Sequence, residues 1–197
     1  MNKKEGWGIF GIALVLGLAA AAPAAAQDSG IYLGASLGSG NSKNTCQGIA
    51  GTCDDTDTAY KLFGGYQMNR NLAWEVGYGY LGDVTASGTD GLGNPINFEV
   101  TNKALDFSGI VTLPVNDRFA VFGRLGIYRS QVELRGNLGS LQGGDHNTSF
   151  TWGLGLRFDL GRAFAVRAEW QHYPDIGGDN AGVDDMDLLT LGLVMRF

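Results

Sequence analysis

The stretch AFAVRAEWQ, residues 163–171, decides the fold class. In an extended chain successive side chains point to opposite faces. Phe164, Val166, Ala168 and Trp170 therefore share one side, and Arg167, Glu169 and Gln171 share the other. The stretch TWGLGLRFDL sets Trp152, Leu154, Leu156, Phe158 and Leu160 against Gly153, Gly155, Arg157 and Asp159. In LAWEVGYGYL, Leu72, Trp74, Val76, Tyr78 and Tyr80 oppose Ala73, Glu75, Gly77 and Gly79, and the final segment places Leu189, Leu191, Leu193, Met195 and Phe197 on one face. No helical apolar period and no run long enough for a membrane helix competes with this alternation.

Counting such segments predicts eight strands, at 30–39, 58–68, 72–82, 101–113, 118–132, 147–160, 163–172 and 187–197. Tight connections fall at Asn69 to Asn71, Pro114 to Asp117, and Gly161 to Arg162. Long ones rich in Gly, Asn, Asp and Ser cover 40–57, 83–100, 133–146 and 173–186. Short turns on one rim, long loops on the other and an even strand count predict an all-β, eight-stranded antiparallel transmembrane barrel of up-and-down topology. Lipid offers no hydrogen-bond partner to an open edge, so the sheet must close. A charge facing lipid near the midplane costs about 2–4 kcal/mol, so the apolar face is outward and the charged face inward. A soluble barrel would reverse this. Trp74, Phe119, Phe158, Phe164 and Phe197 near one rim, and Tyr80 and Trp170 near the other, fit interfacial girdles.

Residues 1–26 carry Lys3 and Lys4, an apolar run from Ile9 to Ala22, and Ala24 to Ala26. This is the layout of a secretory signal peptide, so the barrel domain is expected to cover 27–197, starting at Gln27 after cleavage. The apolar run is shorter than the roughly 20 residues of a membrane-spanning helix. A net charge of −6 makes nucleic acid a poor partner. Cys46 and Cys53 are too far apart for a CxxC motif and lack nearby histidines for a zinc site. In an oxidising compartment they are expected to close a small surface loop as a disulfide whose reduction leaves the barrel folded; two free thiols are the alternative.

The stretches KLFGGYQMNRNLAWEVGYGYLG, LPVNDRFAVFGRLG, GLRFDLGRAFAVRAEWQHY and DLLTLGLVMRF resemble the transmembrane domain of the OmpA family, over essentially all of the chain after the signal segment except its loops. The resemblance implies a barrel in the outer membrane of a Gram-negative bacterium, with periplasmic termini and extracellular long loops. It also implies that the alternating strand ending at Phe197 is read by the outer-membrane assembly machinery. Family members with a peptidoglycan-binding domain continue beyond the barrel; this sequence ends at Phe197, so a cell-wall tethering role is not expected. Outer-membrane lipids and lipopolysaccharide are the expected surroundings, and the barrel is expected to be a monomer.

Eight strands enclose a lumen that side chains can fill. The inward charges, Lys61, Arg124, Arg157, Arg167 and Arg196 against Glu75, Asp106, Asp159 and Glu169, are nearly balanced and predict a packed polar plug. Glu75 lies four residues beyond Asn71 at one tight turn and Arg167 five beyond Arg162 at another, on opposite strands of the ring, so the two are expected to form a central ion pair. The resemblance places the family's acidic and basic gate residues at these two positions. The family's alternative partners align with Ile110 and Arg157, so Arg157 is expected to share Glu75 as a second donor. A static polar core is the alternative to a gate.

An acyl-transfer site would need a serine and an acid beside a histidine. The two histidines are His146, in a predicted loop, and His172, pointing outward without a serine two residues away, so no enzyme and no cofactor are expected. Asp175, Asp179, Asp184, Asp185 and Asp187, and Asp54, Asp55 and Asp57, match no complete calcium loop and read as solvated surface rather than a metal site. Asn147, Thr148 and Ser149 form a glycosylation triplet by pattern only, without weight in a bacterial protein. The expected role is structural support of the envelope with at most a narrow gated pore; a surface adhesin acting through its loops is the alternative.

Overall fold

The computed structural model describes residues 29–42, 52–54, 56–89, 95–136, 144–176 and 185–197. The signal segment, Cys46 and hence the disulfide, and Asp55, Asp179 and Asp184 lie outside the described residues. The strands are β1 (Gly30–Ser42), β2 (Thr52–Asp54), β3 (Thr56–Gln67), β4 (Leu72–Thr89), β5 (Pro95–Pro114), β6 (Phe119–Gly136), β7 (Gly144–Asp159), β8 (Phe164–Tyr173) and β9 (Met186–Arg196). Each barrel strand pairs antiparallel with its neighbour in sequence, and β1 pairs with β9 to close the ring. The small β2 pairs with the far end of β4 on the edge that β3 uses nearer the turn, since β5 takes the other edge there, so β2 continues the line of β3. Eight strands thus form a closed barrel.

Strand pairing runs further than the sequence pattern indicates. Residues 83–89, 95–100, 133–136 and 144–146, read as loop, are paired extensions of β4, β5, β6 and β7, and His146 lies within β7. Alternation marks only the part of a strand that meets lipid on one side, and beyond that height nothing requires one face to be apolar. The β4–β5 register slips by one residue between Tyr80 and Gly82, a bulge made possible by glycine at φ 109°.

The outer surface is the apolar band the alternation predicts, with Leu37, Leu62, Trp74, Val76, Phe107, Leu125, Leu154 and Leu191 all exposed. Aromatic pairs reinforce it across strands: Tyr60 stacks on Tyr80 at 5.0 Å, Trp74 on Phe107 at 5.5 Å, and Trp152 meets Trp170 edge-on at 4.9 Å. The core is the lumen. It is layered rather than uniformly polar, which corrects the polar plug expected from charge alone. Ala59, Leu81, Ala104, Tyr128, Tyr173, Ile176, Met186 and Leu188 form an apolar layer toward the long loops. Tyr32, Phe63, Ala73, Ile110, Phe122, Ala165 and Val194 form another toward the short turns. The buried charges lie between them.

Candidate functional site in the barrel lumen

The middle layer holds three cations, Lys61, Arg124 and Arg167, and three anions, Glu75, Asp106 and Glu169, all buried. The short turns after β3, β5 and β7 set the register, and two-residue periodicity then brings these inward side chains to similar heights. Glu75 on β4 and Arg167 on β8 meet across the lumen, with Arg167 Nη1 donating to Glu75 Oε2 at 2.6 Å. Arg167 Nη2 lies 2.7 Å from Glu169 Oε2. Its guanidinium is also sandwiched between the Phe122 and Phe63 rings, at 4.3 and 4.8 Å from their centroids, so the lower apolar layer holds the cation through its π faces.

The second donor to Glu75 is Arg124, whose Nη2 bonds Oε1, and not Arg157 as the sequence suggested. Arg157 sits directly across the β7–β8 ladder from Arg167. Like charges placed opposite each other repel, and the side chain turns to the short-turn rim. There it lies 3.3 Å from Asp159, which also pairs with Arg196. Arg124 is the hub of the network: it reaches Glu169 at 3.0 Å, Asp106 at 3.5 Å and the Gln171 amide oxygen at 2.6 Å. Lys61 completes the layer, 2.9 Å from Asp106 and donating to the same Gln171 oxygen at 2.8 Å. Gly77 makes room for this pair, because a Cβ there would stand 2.6 Å from Asp106 Oδ2.

Two participants were not singled out in the sequence. Tyr32 donates its hydroxyl to Glu75 Oε2 at 2.9 Å, and Gln171 bridges Lys61 and Arg124. Both sit at inward positions of their strands, and their uncharged polarity gave no separate signal. Ile110, the other position aligned with a family partner, is part of the lower apolar layer.

At the short-turn rim a cavity of about 350 Å³ is lined by Gln67, Arg70, Asn116, Arg157, Asp159 and Arg196 among others. Toward Arg167 it meets a space of only about 30 Å³ among Tyr32, Ile110, Phe122 and Val194. That is room for one or two water molecules and for nothing larger. At the other end the Pro174–Ile176 turn folds into the mouth. Tyr128 donates its hydroxyl to the Pro174 carbonyl, Ser130 Oγ donates to the Ile176 carbonyl at 2.6 Å, and Asn147 Nδ2 donates to the Asp175 carbonyl at 2.5 Å. These bonds hold Ile176 fully buried among Tyr128, Tyr173 and Met186.

His172 packs against Trp152 and Trp170 at 5.5 and 6.1 Å. Its Nδ1 lies 2.7 Å from Asp187 and its Nε2 3.7 Å from Asp185, so both ring nitrogens face carboxylates and neither is aimed at a hydroxyl nucleophile. Asp175 donates its backbone N–H to Asp185 at 3.4 Å, and no three His, Cys, Asp or Glu side chains among the described residues converge on a metal-sized site.

Comparison with known proteins agrees with this architecture. The family model of the OmpA-like transmembrane domain matches residues 26–197. Outer membrane protein A of Klebsiella aerogenes is 28% identical over 190 residues, covering 92% of this chain and 52% of that protein. The Salmonella typhi protein of the same name is 30% identical over 191 residues with the same coverage. The chain thus spans about half the length of the curated relatives it matches. Among solved structures, the N-terminal β-barrel domain of Pseudomonas aeruginosa OprF superposes with a TM-score of 0.55 at 16% identity, covering 87% of this chain and 98% of that one. Ail, the attachment invasion locus protein of Yersinia pestis, gives 0.54 at 15% identity, covering 86% and 97%. An alternating sequence, a closed ring of eight strands with an apolar exterior, and a family match over the whole barrel place this chain in the OmpA-like transmembrane domain family of the outer membrane.

Proposed function

We propose that this barrel is a structural component of the outer membrane that supports envelope integrity, with its lumen sealed except for a narrow, gated path. The observation that carries this is the three-layered filling of the lumen, in which Glu75, Arg167, Arg124 and Glu169 form the closing contacts and Arg157 stands at the rim. A broad diffusion pore would require both apolar layers and the ion network to move aside together. The proposed surroundings are outer-membrane lipids and lipopolysaccharide, and the proposed assembly partner is the outer-membrane insertion machinery, acting through Phe197. The adhesin alternative would act through loops whose residues 43–51, 90–94, 137–143 and 177–184 lie outside the described residues.

Two measurements test this. Liposomes containing the refolded barrel should not swell in iso-osmotic sugar, and planar bilayers should show only brief, small openings; steady conductance or sugar uptake would overturn the sealed lumen. A deletion strain should become sensitive to detergents, and a barrel with trimmed long loops should restore resistance. Failure of the trimmed barrel to restore it would assign the role to the loops.

A further inference from the structure

Across the lipid-facing band, the outward positions of β5 are Leu113, Val111, Gly109, Phe107 and Leu105, and those of β6 are Val121, Gly123, Leu125 and Ile127. The next outward residue on β5 is Lys103 and the next on β6 is Arg129. Among the described side chains these are the two cations that the barrel strands turn outward, in a chain of net charge −6. They are neighbours. Lys103 is opposite Gln131 and Leu105 opposite Arg129, so the cations sit on one diagonal, roughly 7–8 Å apart at the backbone.

Their height is specific too. From Phe119 at the short-turn rim to Arg129 the strand advances ten residues. At about 3.3 Å per residue and a tilt of about 40°, this rises roughly 25 Å along the barrel axis, the thickness of the apolar band of such proteins. Both cations therefore stand at the level of the lipid headgroups on the long-loop side. Between them lies a groove of about 230 Å³ lined by Tyr78, Lys103, Leu105, Arg129 and Gln131.

We infer that this groove is a docking site for the phosphate of an outer-leaflet glycolipid headgroup, resting on the reading above that the long loops face outward in an outer membrane. The Arg129 guanidinium offers a fork of donors that matches two phosphate oxygens, and the Lys103 ammonium is a point charge beside it. The Gln131 amide extends the polar rim, while Tyr78 and Leu105 give the sugar and first acyl carbons an apolar wall. Among the described residues of β5 and β6 no outward cation lies in the apolar band below, so the headgroup is held at one height and the acyl chains run down the Leu105, Phe107 and Ile127 surface.

The test uses the full chain refolded in neutral phosphatidylcholine nanodiscs, with purified bisphosphorylated lipid A, dephosphorylated lipid A or phosphatidylglycerol added at equal mole fraction. Native mass spectrometry counts the lipid retained. Lipid A is expected to be retained over its dephosphorylated form and over phosphatidylglycerol. Each cation contributes about fivefold, so Lys103→Ala with Arg129→Ala should weaken retention by about twenty-fivefold, and each single change by about fivefold. Ser39→Ala, outward on β1 across the ring from this groove, should leave it unchanged. Equal retention by the double variant, or phosphatidylglycerol held as tightly as lipid A, overturns the site. Sugar exclusion by liposomes carrying the same proteins separates this from the sealed-barrel reading: a parent protein that stays sealed but retains no lipid A fails only the docking site, and a leaking parent protein fails the other.

Discussion

Replacing Glu75 with alanine is expected to destabilise the barrel by about 3–5 kcal/mol, because it leaves buried positive charge without its partner. Glu75 is 1% exposed and accepts from Tyr32, Arg124 and Arg167 at once. With it the middle layer is neutral, three cations against three anions; without it Arg124 and Arg167 must share Glu169 and Asp106. The pair as a whole need not be strongly stabilising, since bringing both charges into the lumen costs much of what their attraction returns. What makes the single deletion severe is the imbalance. Arg167→Met placed in the Glu75→Ala background should therefore recover part of the loss, whereas additive losses would mean that the two side chains act independently. Urea titration of the barrel in lipid vesicles, followed by tryptophan fluorescence, reads all three variants. A Glu75→Ala midpoint within about 1 kcal/mol of the parent would show that water or a rearranged Arg124 compensates, and the network would lose its structural importance.

The features that were legible in the sequence are those that lipid or turn geometry enforces. Every outward residue between the girdles must be apolar, so the alternation in 163–171 and 151–160 reads without ambiguity. Counting from the tight turns places Glu75 and Arg167 at one height, because register in a short hairpin is fixed by its turn. Counting fixes the position of a Cα, however, and not the direction of a long side chain. Arg157 lies one strand from Arg167 at the same height, and repulsion between the two sends it to Asp159 at the rim, while Arg124, further round the ring, reaches Glu75 instead. The layers of the lumen were less legible still. Tyr32, Phe63, Phe122, Tyr128 and Tyr173 occupy inward positions, where large aromatics interrupt the charged face and read as noise in the alternation. Ile176 belongs to a segment rich in Gly and Asp that reads as loop, and only three-dimensional proximity to Tyr128 and Ser130 shows that it closes the mouth.

That closure yields the second large effect. Tyr173 is fully buried, and its ring meets Tyr128 edge-on at 5.1 Å and 89°, against Ile176, Met186 and Leu188. Cutting such a side chain back to alanine removes its transfer free energy and leaves a cavity that a closed barrel cannot collapse, so Tyr173→Ala should cost about 3–5 kcal/mol. The loss also removes an aromatic contact of about 0.5–1.5 kcal/mol. The Tyr173 hydroxyl has no hydrogen-bond partner among the described residues, so Tyr173→Phe should change stability by less than about 1 kcal/mol in either direction. The contrast between the two variants assigns the effect to ring volume rather than to the hydroxyl. Permeability should respond differently from stability. The ion layer and the Phe63–Phe122 layer remain beneath the cavity, so Tyr173→Ala alone should still exclude sugars, and only its combination with Glu75→Ala should admit small ions steadily in planar bilayers. Steady conductance from Tyr173→Ala alone would make the outer aromatic layer the sole seal and the buried charges a lining behind it.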